Sequence, residues 1–148
     1  MNIYEALRAS HKIQRELADA LIETKGASEE RTQLFTQLKN ELEAHAVGEE
    51  RYFYVPLMMH DMTMPHARHG IAEHHTLDDL IETLEATELN APSWLINARK
   101  LRDEVYHHLE EEEKTIFQIS GKVFTDEQKA NLAGDYQAEY ERFMAKLV

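Results

Sequence analysis

Apolar residues recur along this chain at three- and four-residue spacing almost from end to end, and no stretch sustains the every-second-residue alternation of a half-buried strand. That pattern limits the chain to an all-α fold. At 148 residues there is enough sequence for one sizeable core. Five Gly, three Pro and no low-complexity run leave no internal boundary, so residues 1–148 read as a single domain.

The first helix is predicted from about Ile3 to Glu23, with Leu7, Leu17 and Leu21 on its apolar stripe, stopping near Gly26. Ser28 is placed to cap a second helix, along which Leu34, Leu38, Leu42, His45, Glu49 and Tyr52 share one face until the segment from Pro56 to Pro65. A third helix spans roughly His66 to Glu88. Asn90-Ala-Pro-Ser93 reads as a turn and N-cap for a fourth, which buries Leu101, Val105, His108, Glu112, Ile116 and Ile119 before Gly121. A shorter fifth helix, from about Asp126, is expected to pack on the outside. Long helices and short connections favour an antiparallel up-down four-helix bundle with one long core and this additional C-terminal helix.

Composition removes several chemistries. There is no cysteine, so disulfides, thiolate metal sites and thiol catalysis are excluded, and His and carboxylate remain as metal ligands. Twenty-eight acidic against sixteen basic side chains give a net charge of -12, which repels nucleic acid and anionic membrane surfaces. No stretch approaches the roughly 20 apolar residues of a membrane span, and Glu5 and Arg8 interrupt any signal-like N-terminus. A soluble cytoplasmic protein is the expectation.

The informative anomaly is that ionisable residues occupy core positions at matching depth in four helices, where an unpaired imidazole or carboxylate is expensive to bury. Two segments repeat one pattern: His45-Ala-Val-Gly-Glu49-Glu50 and His108-Leu-Glu-Glu-Glu112-Glu113. A His and a Glu four residues apart share a helix face and can grip one metal. Taken singly, such a pair in an acidic, His-containing chain is usually a solvated surface pair. Two copies, each led into by an apolar stripe, are harder to explain that way. Phe53 and Ile116, each eight residues past its His, suggest equivalent depths.

On the third helix, His74 falls near the stripe of Ile71, Leu77, Ile81 and Leu84, whereas His75 points toward solvent with Asp79 and Glu82. His69 lies at the edge of the stripe and remains open as an extra ligand or an outer hydrogen-bond partner. Gly70, one turn before His74, predicts a small open space beside the site. His11, one turn after Leu7, would alone be an ordinary helix histidine; the other three helices give it a role. His60, His66 and His107 read as exposed or loop residues. Glu50, Glu113 and Tyr52 are candidates to orient the ligands, though the two Glu fit a solvated face as well.

The order His11, His45-x-x-x-Glu49, Glu73-His74, His108-x-x-x-Glu112 resembles the hemerythrin-like HHE cation-binding family across the four main helices. The resemblance implies an up-down bundle around a carboxylate-bridged pair of irons, with His11, His45, His74 and His108 as terminal ligands and Glu49 and Glu112 as bridges. Two departures from the oxygen-carrying hemerythrins stand out. Those proteins have a His where this chain has Gly70, and a fourth-helix Asp five residues after its His where this chain has Glu112 at four. The pattern is closer to the bacterial HHE form, which leaves a metal position open unless His69 fills it. By donor chemistry alone, iron, manganese or zinc suits these ligands.

The resemblance implies a metal-binding protein rather than a dedicated enzyme, one that binds or senses a small diatomic ligand (oxygen or nitric oxide) or handles iron. Repair of damaged iron–sulfur clusters, which some relatives perform, is the alternative. A ferritin-like carboxylate bundle needs two Glu-x-x-His units, and only Glu104-Val-Tyr-His107 is present. A metal-free helical interaction module, with the histidines as packed core residues, is the reading from a different class.

Overall fold

The structure, a computed structural model, describes residues 1–147, and every regular element in them is helical. Helix α1 is Ile3–Ile22, opened by a reciprocal cap in which the Asn2 side chain accepts the Glu5 N–H and the Glu5 carboxylate accepts the Asn2 N–H, both at 3.0 Å. Helix α2 is Glu29–Glu49, capped by Ser28 as the sequence predicts. It runs on through a π-helical turn, Glu50–Tyr54, into Val55–Leu57. Helix α3 is Met64–Glu85 and α4 is Pro92–Glu111; α4 also continues through a π-helical turn, Glu112–Ile116, into Phe117–Ser120. Helix α5 is Asp126–Ala145. Gly26 takes the left-handed conformation, φ 58°, in the α1–α2 turn.

Helix α1 packs against α2 and α4, α3 packs against α4, and the π-helical turn after α2 packs against α3. The result is a helical bundle. Four expectations need correction. The cap of α4 is Ala91 rather than Ser93, because Pro92, with no N–H to leave unpaired and φ already helical, takes the first helical position. Ile119 is only half-buried, while Phe117 and Ser120 lie inside, since the π-helical turn inserts a residue and rotates the residues after it. The fifth helix is not short: α5 has 20 residues, as many as α1, and it packs on both α1 and α2.

The fourth correction concerns the core, which is two apolar clusters rather than one. Ile3, Leu7, Phe53, Leu57, Phe117 and Tyr136 form part of one; Leu38, Leu77, Leu84, Trp94, Leu101 and Leu109 form part of the other. A layer of buried polar side chains separates them. Among the described residues no helix is long and apolar enough to cross a membrane.

Candidate metal centre

The polar layer contains all six side chains singled out by the sequence. His11, His45, His74 and His108 are at most 5% exposed, and Glu49 and Glu112 are fully buried. Each long helix from α1 to α4 delivers one imidazole. The carboxylates come from α2 and from the π-helical turn after α4. The Nε2 atoms face inward onto the carboxylates: His11 to Glu112 Oε1 at 3.2 Å, His45 and His74 to Glu49 Oε1 at 3.3 and 3.0 Å, and His108 to Glu112 Oε2 at 3.7 Å.

These contacts are not hydrogen bonds. All four Nε2 atoms, both Glu49 oxygens and Glu112 Oε1 are buried without a hydrogen-bond partner. Seven orphaned polar atoms in one layer would be costly in a folded chain, where nearly all buried polar groups are paired. A cation placed among them satisfies lone pairs on nitrogen and oxygen together. The donor atoms of His11, His45, Glu49 and Glu112 lie within 4.8 Å of one another, and so do those of Glu49, His74 and His108. The buried set fits a metal-binding site.

The outer ring nitrogens explain why the inner ones are free. Nδ1 of His11 bonds Glu113 at 2.8 Å, Nδ1 of His74 bonds Glu50 at 3.2 Å, and Nδ1 of His108 bonds Glu73 at 2.9 Å. A carboxylate can only accept, so each of these rings keeps its proton on Nδ1 and, in its neutral form, turns a lone pair inward. Nδ1 of His45 bonds the Tyr136 hydroxyl at 2.8 Å. The second Glu of each repeated segment thus has a specific task, which the sequence left undecided. Glu113 is itself held by Arg15, at 3.0 and 3.2 Å.

Protonation of the metal-free layer follows from the same contacts. Burial disfavours the imidazolium of His11, yet Glu112 and Glu113 outweigh it and raise the ring to about 9. His74 is likewise raised against burial, by Glu49 and Glu50, to about 10. Burial dominates at His45, which falls to about 4 despite Glu49. Glu112 is pushed up to about 7 by burial and by the neighbouring Glu49 charge, whereas Glu49 is held well below the usual carboxylate range because His45 and its other partners outweigh burial. The outlying Glu113 is lowered to about 2, burial being overcome by His11 and Arg15. Without a cation, protons do part of its work.

Three residues were missed or misplaced by the sequence. Tyr54, not Tyr52, reaches the layer: it is fully buried and its hydroxyl donates to Glu112 Oε2. At 100° per residue Tyr54 would lie about 140° round from Glu49, on the far side of α2; the π-helical turn takes up an extra residue and turns Phe53 and Tyr54 both inward. Glu73, beside His74, orients His108 on the neighbouring helix. Tyr136 comes from α5, and it approaches over Gly48, where a Cβ would stand 2.8 Å from its ring.

The space expected beside Gly70 is filled. A methyl group built there would overlap the Tyr54 ring. A small cavity of about 10 Å³ lies elsewhere in the layer, lined by Gln14, Leu42, His45, His74, Leu77 and His108 among others. His69 does not enter the layer; its ring is half exposed, 3.0 Å from Glu111. His75 is exposed, as its position on the helix predicts.

Residues 2–119 match the Hemerythrin HHE cation binding domain. The fold superposes on the crystal structure of a hemerythrin HHE cation binding domain-containing protein from Mycobacterium kansasii with a TM-score of 0.89 at 25% identity, covering 99% of this chain and 89% of that one. A Nostoc protein named DNA nickase is 25% identical over 147 residues; they make up 99% of this chain but only 41% of that relative. With the family match over most of its length and a buried His/Glu layer built to its pattern, this chain belongs to the hemerythrin HHE cation-binding family.

Proposed function

We propose that the chain is one domain whose helices α1 to α4 run alternately up and down around two iron ions, and that it binds or senses a small diatomic ligand, oxygen or nitric oxide, or handles iron. His11 and His45 would hold one ion, His74 and His108 the other, with Glu49 and Glu112 shared. The observation that carries this reading is the set of four inward Nε2 atoms, each buried and unpartnered, around two carboxylates. Two shared carboxylates offset much of the charge of two cations while accepting both.

Iron bound there would supply a redox-active Lewis acid able to take up a diatomic ligand. The protein's own part is to orient four rings through Glu50, Glu73, Glu113 and Tyr136, to keep bulk water out with the apolar clusters on either side, and to hold a proton on Tyr54 against Glu112. Burial and the Glu112 and Glu49 charges raise that phenol well above its usual range, which favours its role as a donor. The -12 net charge disfavours a nucleic acid substrate for this chain, so the nicking named in the Nostoc relative is not carried over.

Metal analysis of freshly purified protein tests the first part: about two iron per chain is expected, and none would overturn it. Stopped-flow mixing of the reduced protein with oxygen tests the second. A lasting adduct supports binding or sensing, fast irreversible oxidation supports iron handling or the alternative of iron–sulfur repair, and no reaction sinks all of them.

A further inference from the structure

The buried layer is not the only place where His-x-x-x-Glu units meet. His69 and Glu73 stand four apart on α3, and His107 and Glu111 stand four apart on α4, each pair sharing one helix face. The two units face each other across the α3–α4 seam, on its solvent side. Nε2 of His69 lies 3.0 Å from Glu111 Oε1 and 3.6 Å from Glu73 Oε2. Nε2 of His107 lies 3.2 Å from Glu111 Oε2 and 3.4 Å from Glu73 Oε2.

An ion pair between a protonated ring and a carboxylate would align an N–H with an oxygen. Three of these four contacts, at 3.0, 3.2 and 3.4 Å, are close enough for a hydrogen bond but lack its alignment, as do the Nε2 contacts of His11, His45 and His74 inside the bundle; the fourth, at 3.6 Å, is too long for one. Donor atoms about 2.1 Å from a common zinc or iron stand roughly 3 to 3.5 Å from one another, and the spacings here bracket that range. The donor atoms of His69, Glu73 and Glu111 all fall within 4.8 Å of each other. The two carboxylates are mostly covered, at 12% and 35% side-chain exposure, while the two rings are half open to solvent, at 50% and 62%. Negative charge is therefore fixed at the base of the cluster, with movable imidazoles above it.

We infer that His69, Glu73 and Glu111, joined by His107, form a second, solvent-facing site for a divalent transition-metal ion at the α3–α4 seam. Two imidazoles and two carboxylates make a borderline donor set that suits zinc or ferrous iron. The site touches the inner one through a single side chain. Glu73 turns Oε2 outward to the cluster and Oε1 inward to Nδ1 of His108, so a cation held outside draws on the carboxylate that orients an inner ring.

The test is zinc titration of the protein as purified, followed by calorimetry and by metal analysis of the same samples, with His69→Ala/His107→Ala and Glu111→Gln alongside. The wild type is expected to bind one zinc more than the double variant, Glu111→Gln is expected to bind it more weakly, and iron content is expected to be equal in all three. In crystals soaked with zinc, an anomalous peak should appear among His69, Glu73 and Glu111. Equal zinc uptake by wild type and double variant, or a peak confined to other positions, overturns the site. Both rings are exposed, so circular dichroism should show an unchanged fold. The readout is independent of the inner centre, since loss of inner iron leaves the difference between wild type and double variant intact.

Discussion

Gly70 on α3 lacks a side chain at the place where the ring of Tyr54, carried by the π-helical turn after α2, fills the layer and reaches Glu112. The two positions depend on each other: any Cβ at residue 70 must displace the ring, and the ring fills the space that the missing side chain leaves.

Gly70→Ala should therefore destabilise the chain by about 1–3 kcal/mol, the usual cost of overpacking a dense core, although alanine is the better helix former. In a Tyr54→Ala background the same substitution should cost much less. A double-mutant cycle by chemical denaturation measures the coupling; additive effects would show that the ring moves aside freely.

Replacing an inner ring should be costly twice over. His45→Ala or His108→Ala is expected to bring bound metal below two per chain and to lower stability by about 3–5 kcal/mol, because the remaining buried groups lose their counter-charge. His75→Ala, on the exposed face of α3, should change neither. Metal analysis and thermal unfolding of the three variants check this.

The outer partners should matter without being ligands. Glu113→Ala and Tyr136→Phe each remove the partner of an Nδ1 atom, for His11 and His45 respectively. Metal affinity should fall about 10–100-fold in each, measured by competition with a chelator, while the helical content is retained.

Metal loading should release protons. In the metal-free chain His11 and His74 keep their imidazolium form up to about 9 and about 10, and a ring that binds metal through Nε2 must give one proton up. Near pH 7.5 binding should then release roughly two protons per chain, and apparent affinity should rise with pH until those rings are neutral and fall as pH drops. Calorimetry in buffers of different ionisation enthalpy counts the protons; a buffer-independent heat would contradict the assignment.

Much of this protein was determined by its sequence alone. The three- and four-residue spacing dictated helices, Ser28 and Gly26 marked real ends, and His45, Glu49, His108 and Glu112 declared themselves as ionisable residues on apolar stripes, which is a strictly local property. Tertiary structure decided the rest. Two π-helical turns, which no hydrophobic period reveals, turned Tyr54 inward and rotated Phe117 and Ser120 into the core in place of Ile119. Which carboxylate holds which ring was likewise undecidable from spacing, since Glu113 serves a ring 102 residues away and Tyr136 one 91 away. A helix period reports which face is buried; only packing reports what that face meets.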